Sequence, residues 1–226
     1  MPSSPRTERD RTARVSTAAA LVVAPALFVL SNLIHPQELA VDHEAAQLAK
    51  IAESYTRWQV AHLITLLSLL VFAVAVVGLA LVVRDNARAA WSGGALGIAG
   101  LIGLSGALTI DGFGWGIAGE VWGKSDDAGK RTAELVLNDM QHSEWALPVY
   151  LLGVLWILGV IVLAAAAGRG GLVPLWAAAL LGLGAIMVGL ETSIQDNAYF
   201  VVASLVLLAG GVAMAWALRQ APEGAS

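Results

Sequence analysis

Residues 60–83 read VAHLITLLSLLVFAVAVVGLALVV and contain no Asp, Glu, Lys or Arg. About 20 predominantly apolar residues form a helix that crosses the hydrocarbon core of a bilayer, which is about 30 Å thick. The stretch therefore predicts a membrane-spanning helix. Five other segments have the same character, so the sequence predicts six spans. These are residues 15–34, 60–83, 90–118, 145–167, 172–190 and 198–218.

The composition of the 226-residue chain agrees with this prediction, because 58% of its residues are hydrophobic and only 13% are charged. A soluble domain has roughly 45–50% apolar and about 25% charged residues. We therefore expect an all-α, multi-pass protein of the cell (plasma) membrane, with the lipid bilayer as its partner. Residues 15–218 form the predicted transmembrane domain, and residues 1–14 and 219–226 are predicted to be flexible cytoplasmic tails.

Several classes of function are disfavoured by the same sequence. The chain has no cysteine, which excludes disulfides, thiolate nucleophiles and cysteine-based zinc sites. Its net charge of −4 argues against nucleic acid as a partner, because no basic face is available for phosphates. The histidines do not recur at metal-ligand spacing on one helix, and no phosphate-binding glycine loop or nucleophile elbow is present. We expect neither a metal nor a cofactor.

Basic residues in the loops predict the orientation in the membrane. Cytoplasmic loops carry an excess of Lys and Arg. Eight basic residues fall on the side of the termini and five on the other side, whose loops are also acidic, so both termini are predicted to be cytoplasmic. The eight are Arg6, Arg9, Arg11, Arg14, Arg84, Arg88, Arg169 and Arg219, and the five are Lys50, Arg57, Lys124, Lys130 and Arg131.

The two outer loops are predicted to form short amphipathic helices. In the first loop, apolar side chains recur at spacings of three and four on an otherwise charged segment. In the second, Asp126 and Asp127 stand at the position of a helix N-cap, ahead of three apolar residues. Both helices could cover the outer mouth of the bundle or connect the spans in solvent. The apolar positions are Leu48, Ile51, Tyr55 and Trp58 in the first loop and Ala133, Leu137 and Met140 in the second.

Asp111 is the one acidic residue well inside a predicted span. An ionisable side chain at membrane depth costs several kcal/mol unless it is paired or solvated, so it is a functional candidate by default. Asp111 could act as a proton donor or relay in catalysis. The alternative is a structural hydrogen bond between helices, and both interpretations stay open.

Other polar and aromatic residues gather at the outer ends of the helices. Tyr55, Trp58, His62 and Thr65 follow one another at helical spacing and therefore share one face. His62 is the best candidate for a partner of Asp111, although a structural histidine bonded to a backbone carbonyl is equally plausible. His35 and Asn32 end the first span, Trp115 follows Asp111, and Glu191 follows the fifth span.

Glycines recur in the third predicted span, at Gly93, Gly97, Gly100 and Gly103. Small residues at a spacing of four let membrane helices approach closely. We therefore expect this span to be tightly packed at the centre of the bundle, an interpretation that the pattern favours over a conformational hinge.

Three short stretches carry a resemblance to a known group. Asn32-Leu-Ile-His-Pro, Trp58-Gln-Val-Ala-His-Leu and Asp111-Gly-Phe resemble segments of multi-pass membrane proteins of about this length from high-GC actinobacteria. The likeness covers the first three spans. It implies a six-helix integral membrane protein and implies no activity, so it assigns no catalytic residue.

Three hypotheses about function follow. The first is an outward-facing cavity near Asp111, rimmed by polar and aromatic side chains, that binds an apolar or lipid-like small molecule. The second is an intramembrane acid–base enzyme, a cyclase or isomerase of isoprenoids or lipids that needs no cofactor. The third is a small transporter or a subunit of a membrane complex. The first hypothesis assigns ligand binding to Asn32, His35, Tyr55, Trp58, Trp115 and Glu191.

In the second hypothesis Asp111 donates a proton and His62 takes it back. The aromatic residues Tyr55, Trp58 and Trp115 would then stabilise a cationic intermediate through their ring faces. The third hypothesis is disfavoured because a permeation path needs polar groups at both ends, and the cytoplasmic half of the predicted bundle has few.

Overall fold

The computed structural model describes residues 5–36, 44–144, 146–190, 194 and 196–221. Within these ranges the chain is all-helical, with short turns between helices and no strand. In chain order the helices are α1 (Pro5–Ile34), α2 (Glu44–Glu53), α3 (Tyr55–Val82), α4 (Ala87–Leu108), a π-helical turn (Thr109–Gly114), α5 (Trp115–Lys124), α6 (Asp127–His142), α7 (Ala146–Arg169), α8 (Leu175–Gly189) and α9 (Asn197–Gln220).

Five of the described segments are long and apolar enough to cross a membrane, and they indicate a multi-pass membrane protein. Four of them correspond to α1, α3, α7 and α9, and the fifth joins α4, the π-helical turn and α5 into one rod. The segment predicted to span at 172–190 contains α8, whose 15 residues extend over about 22 Å. That length is less than the 30 Å of a bilayer core. The helix is shorter than predicted because it starts only after Pro174.

The ends of the first span also differ from the prediction. Helix α1 begins at Pro5, so part of the segment predicted as a tail (residues 1–14) is helical. Residues Arg11–Ile34 of this helix are long and apolar enough to cross a membrane. The guanidinium of Arg14 donates a hydrogen bond to the carbonyl oxygen of Ala221 at 3.1 Å. The start of α1 and the end of α9 therefore lie at the same end of the bundle.

Glycines bring α4 against α7, as the spacing predicts. A β-carbon added at Gly100 would overlap the backbone nitrogen of Trp156 and would lie 2.6 Å from its Cβ. A β-carbon added at Gly103 would lie 2.7 Å from the backbone nitrogen of Gly153 on α7. These contacts fix the depth at which α4 and α7 meet, and with it the relative heights of the polar residues that the two helices carry.

Helices α2 and α6 occupy the two segments predicted as outer loops. Leu48 of α2 and Leu137 of α6 are fully buried and form one cluster with Ala118 of α5. Asp126 caps α6 by accepting a hydrogen bond from the backbone N–H of Gly129 at 2.9 Å. The apolar positions predicted from Leu48 to Trp58 do not lie on one helix, because α2 ends before the turn residue Ser54 and α3 begins after it.

Candidate functional site

The rod formed by α4 and α5 is interrupted by the π-helical turn, which carries Asp111 and Gly112. A π-helical turn inserts one extra residue into a helix and is common at functional sites. The indole N–H of Trp58 donates a hydrogen bond to the carbonyl oxygen of Gly112 at 2.6 Å. The side chain of Trp58 is 1% exposed, so this bond is made in the interior. Helix α3 thus supplies a donor to the backbone of the turn.

Three rings from α3 and the end of α1 pack together beside the turn. The centroids of His35 and Trp58 are 4.8 Å apart, those of His35 and His62 are 4.9 Å apart, and those of Trp58 and His62 are 4.6 Å apart. Trp115 stacks on the far side of Trp58 at 6.4 Å, with the two planes 7° apart. The predicted stripe of α3 is therefore packed against a histidine from another helix.

Backbone contacts determine which nitrogen of each histidine carries the proton. Nδ1 of His62 lies 2.8 Å from the carbonyl oxygen of Trp58, and Nδ1 of His35 lies 2.7 Å from that of Pro36. A carbonyl oxygen only accepts, so Nδ1 is the donor in both rings and Nε2 keeps its lone pair. Burial, reinforced by the nearby His62, lowers the pKa of His35 to about 3, so His35 is neutral at pH 7.

Asp111 pairs with a residue that the sequence analysis did not single out. The hydroxyl of Tyr150, in the first turns of α7, donates a hydrogen bond to Oδ1 of Asp111 at 2.6 Å. A tyrosine near a membrane interface is ordinary on composition alone. Tyr150 could have been identified from its depth in the bundle. When α4 and α7 are aligned at the glycines where they meet, Tyr150 and Asp111 lie at similar depth.

A cavity of about 280 Å³ lies between α1, α3, α4, α7, α8 and α9. Its wall includes six polar side chains, and the rest is aliphatic and aromatic. The polar residues are Asn32, His35, His62, Thr65, Asp111 and Tyr150, and the apolar ones include Phe28, Leu69, Phe72, Leu104, Trp156, Ile157, Phe200 and Leu207. The cavity is therefore amphipathic, which is the usual character of a small-molecule site.

The predicted site residues that the structure describes fall into three groups by their position relative to the cavity. Four of them, Asn32, His35, His62 and Asp111, line the cavity. Two of them do not line the cavity: Trp58 packs against His62, and Trp115 stacks on Trp58. Tyr55 is half-buried and bonds to Glu120 of α5, away from the cavity. Glu191 lies outside the described residues.

Two amide contacts tie α1 to α9 beside the cavity. Nδ2 of Asn32 donates to the carbonyl oxygen of Phe200 at 3.3 Å, and Nδ2 of Asn197 donates to that of His35 at 3.4 Å. The guanidinium of Arg57 also bonds the carbonyl oxygens of Ile34 and His35. The donors from Asn197 and Arg57 satisfy carbonyl groups of Ile34 and His35, which the end of α1 leaves without helical partners.

The described residues contain no group of three or more His, Asp or Glu side chains that could hold a metal ion. Fold and composition place the chain in the class of helical, multi-pass integral membrane proteins. No protein-family model, curated protein or solved structure matches it.

Proposed function

We propose that this chain binds an apolar or lipid-like small molecule in the cavity at the outer half of a six-pass plasma-membrane bundle. The observation that carries the proposal is the amphipathic cavity itself, in which Asp111, two histidines and three other polar side chains share a wall with aliphatic and aromatic residues. A polar group at this depth is costly and is normally retained for a function. We propose α8 as the sixth pass, through a locally thinned bilayer.

The volume of the cavity limits the size of its occupant. An engineered apolar cavity of about 150 Å³ holds one benzene molecule. At the same volume per atom, the cavity of about 280 Å³ holds about 11 non-hydrogen atoms. A whole phospholipid is too large, so the occupant is a small lipid-like molecule or one end of a longer chain.

The proposed orientation has both termini in the cytoplasm. The contact between Arg14 and Ala221 supports an even number of crossings, because it holds the two ends of the chain together. Since the chain has no cysteine, single cysteines can be introduced at the exposed Ala87 and Ala128. An impermeant thiol reagent should label Ala128→Cys but not Ala87→Cys in intact cells. The reverse labelling would contradict the orientation.

Filling the cavity tests the proposed binding. Ala107 is buried and lines the cavity, so Ala107→Phe is expected to place a ring in the space of the occupant and weaken binding by about tenfold or more. The matched control is Ala19→Phe, because Ala19 is exposed on α1. Binding of small amphiphiles is measured by thermal shift in nanodiscs. Equal binding by the two variants would place the binding site elsewhere.

The second candidate function is an acid–base enzyme, and one observation favours it. The cavity contains a carboxyl group, Asp111, held by Tyr150, and a histidine, His62, whose Nε2 is a proton acceptor. Asp111→Asn keeps the shape of the side chain and removes the transferable proton. Lipid extracts of cells that express the native protein or Asp111→Asn are compared by mass spectrometry. A species that only the native protein forms or consumes supports the enzyme, and identical extracts support binding alone.

A further inference from the structure

The described residues that line the cavity carry ionisable charge of one sign only, which is negative. Among the described residues that line it, Asp111 is the only carboxylate and there is no Lys or Arg. Within residues 37–195, the positions that the structure leaves undescribed include no Lys or Arg either, because they read QELAVDH at 37–43, Trp at 145, ETS at 191–193 and Gln at 195. The nearby guanidinium of Arg57 is bonded to two backbone carbonyls and does not line the cavity.

Three hydrogen-bond donors of the polar wall are already engaged, whereas the buried indole N–H of Trp156, which also lines the cavity, has no partner among the described residues. The hydroxyl of Tyr150 donates to Asp111, and the Nδ1–H groups of His35 and His62 donate to backbone carbonyls. Acceptors remain, because no described residue donates to Oδ2 of Asp111 or to Nε2 of His62. The part of the wall formed by Asp111 and His62 therefore favours an occupant that donates hydrogen bonds.

The apolar wall adds a second preference. Aromatic rings attract a cation to their faces because the ring quadrupole is negative there. Five aromatic side chains line the same space as the carboxylate. They are Phe28, Phe72, Tyr150, Trp156 and Phe200. A carboxylate among aromatic rings is the combination that suits an ammonium group on an apolar body.

We infer that the occupant is a hydrophobic amine bound in its protonated form, with its ammonium group on the Asp111 carboxylate and its apolar body among the aromatic side chains. This inference rests on the proposed function, since it names the chemical class of the small molecule. A carboxylate ligand is disfavoured because it would face Asp111 without a compensating cation, and burying such a pair is costly. An alcohol supplies a donor but leaves the charge of Asp111 uncompensated.

Three probes of one chain length separate these classes: decylamine, decanol and decanoate. Their binding is measured in nanodiscs, with the Ala107→Phe protein as the background for partition into the bilayer. Decylamine is expected to bind about tenfold more tightly than decanol, because hydrogen bonds to charged groups are stronger than neutral ones. Decanoate is expected to stay at the background.

Asp111→Asn tests whether the carboxylate is responsible for the preference for the amine over the alcohol. This variant should bind decylamine and decanol about equally, since the amide keeps an acceptor oxygen and loses the charge. The control is Glu53→Gln, which makes the same change of net charge at the exposed end of α2 and should keep the preference for the amine.

The outcomes distinguish the two proposals. A preference for the amine that Asp111→Asn abolishes and Glu53→Gln retains supports the inference. Three results would overturn the inference while the proposed binding function stands. Decanol could bind as tightly as decylamine, decanoate could bind above the background, or the preference for the amine could survive in Asp111→Asn. If none of the three probes exceeds the Ala107→Phe background, the proposed function itself is wrong, and the inference falls with it.

Discussion

Replacing Gly100 with alanine is expected to lower the free energy of unfolding by about 3 kcal/mol or more, the upper range for overpacking a core. The added β-carbon would overlap the backbone nitrogen of Trp156 on α7. A backbone atom cannot rotate away as a side chain can, so α4 and α7 must separate. The free energy of unfolding is measured in mixed micelles by titration with a denaturing detergent.

The matched control is Gly94→Ala on the same helix. A β-carbon at Gly94 would lie 3.4 Å from the Cβ of Ala80, an ordinary van der Waals contact. This variant is expected to be neutral or stabilised by up to about 1 kcal/mol, because alanine favours a helix more than glycine does. If Gly100→Ala unfolds as Gly94→Ala does, α4 and α7 are not packed at the depth described.

The membrane-crossing helices could be predicted from sequence because their signal is local. Apolar runs without an internal charge locate four of them, the fifth is an apolar segment that contains Asp111, and the structure changes mainly their ends. The case of α8 shows the limit of composition. Leu172 and Val173 are apolar and Val173 is buried, yet both precede Pro174 and lie outside the helix. A residue before proline is driven away from the helical region, so hydropathy overestimates the length of the span.

The contacts between residues of the candidate site were harder to predict from the sequence. They depend on how each helix is rotated about its axis and how deep it sits relative to its neighbours. The pattern identified Asp111 and His62 as polar residues at similar depth, and both line the cavity. It did not identify Tyr150, whose contact with Asp111 requires α4 and α7 to meet in one register. Nor did it predict the π-helical turn, whose Gly112 carbonyl accepts a hydrogen bond from Trp58 of α3, a contact between helices.

Truncating Trp58 is expected to have the other large effect. Trp58→Ala should cost about 3–5 kcal/mol of stability, the usual range for removing a buried tryptophan ring. The side chain of Trp58 is 1% exposed and contacts His35, His62 and Trp115, so its loss leaves a void beside the cavity. The control is Trp91→Ala, because Trp91 is 81% exposed and its truncation should have little effect on the free energy of unfolding.

Trp58→Phe separates the hydrogen bond from the packing. Phenylalanine keeps most of the apolar ring but cannot donate to the carbonyl of Gly112, which is then left buried without that partner. The expected cost is about 0.5–1.5 kcal/mol, the net contribution of one hydrogen bond, because the backbone N–H of Trp115 still donates to the same carbonyl. Because Gly112 adjoins Asp111, the same variant should also weaken probe binding in the cavity, measured by thermal shift in nanodiscs. A Trp58→Phe protein with native stability and native probe binding would mean that the indole N–H does not hold the π-helical turn, and that the position of Asp111 is set by α4 and α7 alone.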